Sequence, residues 1–331
     1  MCNDYHWVTT IPICRRINIL SYLHSMEFGK VTPEELELVD FTLPPDPPET
    51  TRALHPLKSK TKFYIGCAKW GRADWVGKLY PKKTKPKDFL EHYARIFNCI
   101  EFNAVFYKMP FPSDVWQWKS KVPKDFLFCP KFTNTITHLK RLKNDEFETG
   151  KFLEAITEFK ENLGPIFLMP HPQMSPRQMD ALHGFIERFP KDLDMFVELR
   201  HPDWYIDGYN KELYQFLKEQ KRGTIITDAS GRRDCVHMYL STNECFIRFV
   251  GNSLHPTDYT RIDDWVQRIK QWMEQGLKTC YFFMNQHEEL HSPELIKYLI
   301  EQLNKHCGTD LTPPVLLNER AKGGKSENTL F

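Results

Sequence analysis

Residues 195–228 read MFVELRHPDWYIDGYNKELYQFLKEQKRGTIITD. Two short β-rich runs, 195–200 and 223–228, bracket a segment (212–220) whose apolar residues recur at helical spacing. Run, helix, run is the unit of a parallel sheet, because parallel neighbours need a crossover connection. The rhythm continues in both directions. Further runs lie at 63–67, 99–103, 126–131, 165–169, 245–250 and 279–285. Helical stripes fill most of the intervals, at 87–97, 152–163, 179–189, 265–273 and 295–303. In the first of these, Phe89, Leu90, Tyr93, Ala94 and Phe97 share one face. Eight strands over roughly 245 residues match a (β/α)8 barrel; a doubly wound sheet has the same alternation, but the strand count favours closure. The expected architecture is therefore a TIM-type parallel barrel at 62–307, with an N-terminal extension at 1–61 and a loose C-terminal tail at 308–331.

The extension has its own character. TLPPDPPE (42–49) places four prolines in eight residues, which predicts an extended connector. Upstream, Thr32-Pro33-Glu34-Glu35 spells a helix start, with Thr32 as cap and Pro33 in the first turn. Residues 1–25 fit the rest poorly, and Met26 is the expected natural start; the intact mass of protein from its native source tests this. Arg15 and Arg16 follow a weak apolar stretch instead of preceding it, unlike a signal peptide.

Across 331 residues, 45 Lys and Arg face 43 Asp and Glu, a net charge of +2. That balance excludes a grossly basic nucleic-acid coat or an acidic tail protein, so any anion-binding surface must be local. Nine cysteines include no CxxC pair, and several lie in apolar stretches where thiols act as small hydrophobes. This favours a reducing compartment, and no stretch reaches the roughly 18 apolar residues of a membrane span. A cytoplasmic location is expected.

In parallel barrels, chemistry sits at the C-terminal strand ends and the loops after them. Those ends here carry Trp70; Glu101 and Asn103; Lys131; Glu198, Arg200 and His201; Asp228; Arg248; and Asn285. A terminal polar residue is commonly no more than a point where a strand meets water. Depth and type argue for more. Glu101 and Asn103 share a face by the period of two, as do Glu198 and Arg200, while Arg248 lies between Ile247 and Phe249. Charges held inside need partners, so a structural ion network is the standing competitor. His287, followed by two glutamates, reads as a solvated helix start. The loop KFTNTITHLKR (131–141) adds Thr133, Thr137, His138, Lys140 and Arg141. Cations mixed with hydroxyls suit an oxyanion such as phosphate. Gly231-Arg232-Arg233 lies on the loop after strand six, close to where barrels often hold phosphate. Trp204 and Trp70 follow strand ends directly and offer rings to a base or sugar. P-loop, dinucleotide-fingerprint, HExxH and GxSxG motifs are all missing.

Several stretches together resemble the YecE-like family, the domain of unknown function numbered seventy-two. They are IGCAKW (65–70), YARIFNCIEFNAVFY (93–107), THLKRL (137–142), LGPIFLMPHP (163–172) and ELRHPDW (198–204). The resemblance spans about residues 61–303. It implies a TIM-type barrel without an established activity, and places Glu101, Asn103, Lys131, His138, Lys140, Arg141, Glu198, Arg200, His201 and Trp204 on motif positions. This chain departs from the pattern at Ala68-Lys69, Val250-Gly251 and Met284-Asn285-Gln286. The last removes a carboxylate, so a metal site built on it would be impaired, whereas one built on Glu198, Arg200 and Lys131 would survive.

Three functions compete. The preferred one is a phosphorylated or nucleic-acid ligand held by Lys131, His138, Lys140, Arg141, Arg200 and Arg248, with Glu101 or Glu198 as general base for phosphodiester or sugar-phosphate chemistry. The second is a divalent-metal hydrolase or isomerase using Glu101, Glu198, Asp228 and His201, with a paired-carboxylate glycosidase as a weaker variant. The third is a non-catalytic binding protein that docks a partner on residues 26–51. The sequence leaves the cofactor unknown.

Overall fold

Every strand-forming run of the sequence becomes a strand. The computed structural model describes residues 28–56, 59–206 and 209–317. The start at Met26, the segment before it and the tail beyond residue 317 lie outside the described residues. The strands are β1 (Lys62–Cys67), β2 (Cys99–Phe102), β3 (Leu127–Pro130), β4 (Ile166–Leu168), β5 (Met195–Val197), β6 (Gly223–Asp228), β7 (Glu244–Gly251) and β8 (Thr279–Gln286). All pair in parallel, and their runs are apolar on both faces, as parallel strands buried on both sides require.

The class is α/β, but the ladder differs from the expected continuous ring of eight. Six strands form one sheet in the order β1-β8-β7-β6-β5-β4, a half-barrel, and β2-β3 form a separate ribbon. On one side the ribbon is tied to β4 by isolated bridges, Phe128 to Leu163 and Lys131 to Phe167. On the other, side chains replace the ladder. The Asn98 amide donates to Phe63 O (2.8 Å) and accepts from Ile65 N (2.9 Å). The Tyr93 hydroxyl accepts from Cys67 N (2.7 Å) and donates to Cys99 O (2.9 Å). Gly66 permits this close approach: a Cβ there would stand 2.1 Å from Cys99 O.

Long helices cover the outer face. Helix Pro256–Gln275 is opened by His255, whose side chain accepts from Thr257 N, with Pro256 in the first turn. It buries Ile262, Trp265, Val266, Ile269 and Trp272 at helical spacing. It ends at Gly276 (φ +110°), where a Cβ would also collide with His55 O. Helix Ser292–Cys307 packs beside it and buries Leu295, Ile296, Leu299 and Leu303.

The extension is part of this body. Thr32 caps helical turn Pro33–Leu36 as expected, and Glu35 reaches back to the Thr32 backbone to complete a capping box. The proline run stays extended until Pro48, which starts helix Pro48–Ala53; the restriction that excludes proline from helix interiors suits it to a first turn. Asp46 accepts from Arg268 (2.6 Å) and Trp272 Nε1 (2.9 Å), and buried Thr50 bonds Met238 O and Leu240 N. The expected loose tail also docks where it is described: Leu316 is buried and Leu317 N donates to Lys78 O.

Candidate functional site

Alternation along each strand sorts its residues into two environments. Cys99, Cys129, Phe167, Phe196, Ile225, Phe246, Tyr281 and Phe283 form one interior cluster, distinct from the larger core beneath the helices. Moving two residues along β2, β5, β7 and β8 towards the C-terminal end leads from that cluster to Glu101, Glu198, Arg248 and Asn285. Arg248 on β7 reaches Glu101 on β2 and Glu198 at the end of β5, neither strand its neighbour in the sheet. Arg248 donates Nε and Nη2 to Glu101 (2.9 and 2.8 Å) and Nη1 to both oxygens of Glu198 (3.0 and 3.1 Å). Asn103 and Asn285 donate to Glu101 (2.8 and 3.1 Å), and Thr227 to Glu198 (2.8 Å). Arg200 Nε approaches Glu198 at 3.4 Å.

Burial pushes Glu101 up, but the Arg248 charge and its hydrogen bonds outweigh it and the carboxyl ends below its usual value. Burial likewise raises Glu198, and Arg200, Arg248 and Lys131 together pull it down to about 2. Both are carboxylates at neutral pH, and both are occupied. Lys131 differs. It is 7% exposed, with Nζ over the rings of Phe106 (4.4 Å) and Phe167 (5.0 Å). Its Nζ has no hydrogen-bond or ion-pair partner among the described residues. Burial, then the Arg200 and Arg248 charges, lower it to about 7.

The loop after β3 is bent tightly. A π-helical turn covers Thr135–Leu139, and Arg141, Leu142 and Asn144 all have left-handed φ. Ile136 and Leu142, both buried, hold it in place. Such local cost gathers at functional sites. The turn places His138 against Phe106 (5.1 Å between centroids) and His171 (5.2 Å). Burial, then Lys131, lower His138 to about 3, so it is neutral.

Other predicted residues lie elsewhere. Asp228 is on the opposite face of β6 from Thr227: it pairs with Arg233 and Arg261 and accepts from Trp265 Nε1 (2.7 Å) beneath the helices. Trp204 is fully buried and donates to Met174 O (2.6 Å), so it offers no ring to a ligand. Trp70 stacks on Phe102 (5.3 Å) in the outer core. His201 Nδ1 accepts from Asp203 N (3.2 Å) as a cap. Lys140 pairs with Glu148 (2.9 Å) and Arg141 reaches Gln173 (3.3 Å), both towards solvent. Arg232 forks with Asp234, and Arg233 is held by Asp228 and Phe41 O. The four residues named for a metal therefore do not converge, and no group of three metal-ligating side chains gathers among the described residues.

Sequence reasoning missed Thr227, Phe106, Phe167 and Phe28. Thr227 was recoverable from β6 in the alternate phase. Phe28, whose ring lies 4.0 Å from the Arg200 guanidinium carbon, left no local signal.

A parallel α/β protein with an ion cluster inside its C-terminal strand ends is the class that fold and site define. A family model described as "Protein of unknown function DUF72" matches residues 64–316, and the chain belongs to that family. It is 28% identical over 262 residues to UPF0759 protein YecE of Escherichia coli K12, covering 73% of this chain and 93% of the relative. Two crystal structures of a DUF72 family protein from Enterococcus faecalis V583 share the fold at 18% identity. One has a TM-score of 0.58 over 76% of this chain and 99% of that one; the other scores 0.59 over 76% and 98%. No helix of the described residues is long and apolar enough to cross a membrane.

Proposed function

We propose that the eight strands act as a closed barrel whose C-terminal mouth binds a small anionic ligand, with a sugar phosphate as the favoured class. One observation carries this reading. Lys131, Arg200 and Arg248 are buried together, and among the described residues only Glu101 and Glu198 stand against all three. The enclosure is one negative charge short when Lys131 is protonated, and an oxyanion supplies it. Lys131 and Arg200, each 7% exposed, are the ligand groups; Arg248 and the two glutamates are the frame that holds them. This depth favours a small molecule over a polymer. A general-base role for Glu101 or Glu198 gains no support, since Arg248 occupies both.

The test is calorimetric titration with inorganic phosphate and with ribose 5-phosphate at pH 6.5. Arg200→Met should weaken binding of both at least tenfold, the worth of one charge-assisted hydrogen bond of about 1.5 kcal/mol. Equal affinity in wild type and variant would remove the reading. Single-stranded oligonucleotides should bind more weakly than ribose 5-phosphate, and tighter, steeply salt-dependent binding would favour the polymer instead.

A further inference from the structure

Lys131 is placed for more than charge. Its backbone is fixed on both sides, by its own N–H to Phe102 O (3.2 Å) and by Phe132 N to Phe167 O (3.0 Å). Its Nζ therefore projects from a rigid strand end between two aromatic rings. The carboxylates that would keep an ammonium there are committed: Arg248, Asn103 and Asn285 take Glu101, and Arg248, Arg200 and Thr227 take Glu198. Desolvation and two neighbouring guanidiniums are the conditions under which a lysine exposes its nitrogen lone pair near neutral pH.

A second group completes the picture. The Thr137 hydroxyl donates its hydrogen to Thr133 O (3.1 Å), so its oxygen accepts from His138 Nδ1 (2.8 Å). That fixes the tautomer with a bare lone pair on Nε2. This atom is buried and has no partner among the described residues. His138 and Lys131 contact the same Phe106 ring.

We propose that Lys131 is an amine nucleophile that forms an imine with a small aldehyde or ketone bearing an anionic group, and that His138 moves the proton. The substrate class rests on the anion-site reading above; the amine chemistry does not. The Nζ lone pair forms the C–N bond while the carbonyl π pair moves to oxygen. His138 Nε2 takes one proton from the resulting ammonium and returns it to the alkoxide, which gives the neutral carbinolamine. It then carries the second nitrogen proton to the hydroxyl, the nitrogen lone pair closes the C=N bond and the oxygen leaves as water. No oxidant or reductant is consumed.

Reductive trapping tests this on the full chain. The protein is treated with cyanoborohydride and either glycolaldehyde, which is uncharged, or glycolaldehyde phosphate, and adducts are mapped by peptide mass spectrometry. Lys131 should be modified at least tenfold faster than exposed Lys82 and Lys83, and more slowly as pH falls below 7. Glycolaldehyde phosphate should act at tenfold lower concentration than glycolaldehyde. Equal potency of the two probes would refute the anionic substrate class while leaving the imine intact. Labelling of Lys131 no faster than Lys82 and Lys83 would overturn the proposal. His138→Asn should slow the adduct at Lys131 without moving it, and an unchanged rate would remove the proton-transfer role.

Discussion

At Arg248 one guanidinium bridges two carboxylates from strands on opposite sides of the interior. Replacing it with Met leaves Glu101 and Glu198 buried without their main counter-ion. The expected cost is about 3–5 kcal/mol, read as a fall in the urea midpoint. Lys131 behaves in the opposite way. Unfolded, it titrates near 10.5; folded, near 7. Between those values the unfolded chain carries a proton the folded one lacks, so this residue makes stability rise with pH across that window, and below 7 its penalty is complete. Lys131→Met should therefore raise Tm by several degrees at pH 6.5, with the gain shrinking as pH approaches 10.5. A destabilising site kept in the interior is the usual mark of function over packing. Glu198 and Arg200 were legible because two charges two residues apart on an apolar strand share a face, Glu101 because it shares one with Asn103, and Arg248 because it lies between Ile247 and Phe249. Asp228 was not: GTIITD is apolar in both phases, so nothing local says which face looks inward.

At the scale of elements, the junction between β1 and β2 carries the greatest constraint. Backbone pairing is replaced by the Asn98 amide and the Tyr93 hydroxyl, and the strands come together only because residue 66 lacks a Cβ. Gly66→Ala must push backbone away from Cys99 O, which cannot move as a flexible side chain would. Denaturant unfolding should show a loss of 3 kcal/mol or more, among the large values reserved for core strain. The strand-forming runs announced both elements, yet no pattern in them showed that side chains would replace the ladder. That depends on where a loop residue and a helix residue come to rest in space. The turn after β3 teaches the same lesson. Its composition marked an anion loop, but its curvature turns His138 inward and Lys140 and Arg141 outward.

For the whole molecule, the extension decides whether residues 62–307 stand alone. Phe41 covers Arg233 and Arg261, Phe28 covers Arg200, and Asp46 and Thr50 satisfy buried donors and acceptors of the main body. A chain beginning at residue 62 should therefore lose more than 10 °C in Tm or fail to accumulate as folded protein, read by calorimetry and by circular dichroism. Unchanged melting would show the extension to be a detachable docking segment, as its acidic, proline-rich composition suggests.

The sequence by itself determined the alternation of strands and helices and the inward-facing charges at strand ends, because both follow from local periodicity or spacing, and it showed the family through the resemblance of its motif stretches. Only the tertiary structure decided that Arg248 unites Glu101 with Glu198, that Asp228 and Trp204 belong to packing, and that Lys131 Nζ has no hydrogen-bond or ion-pair partner among the described residues. Those outcomes depend on the mutual phase of strands far apart in the chain. They depend too on which buried group claims each carboxylate oxygen first, and such competition is settled by distances in space that no local pattern encodes.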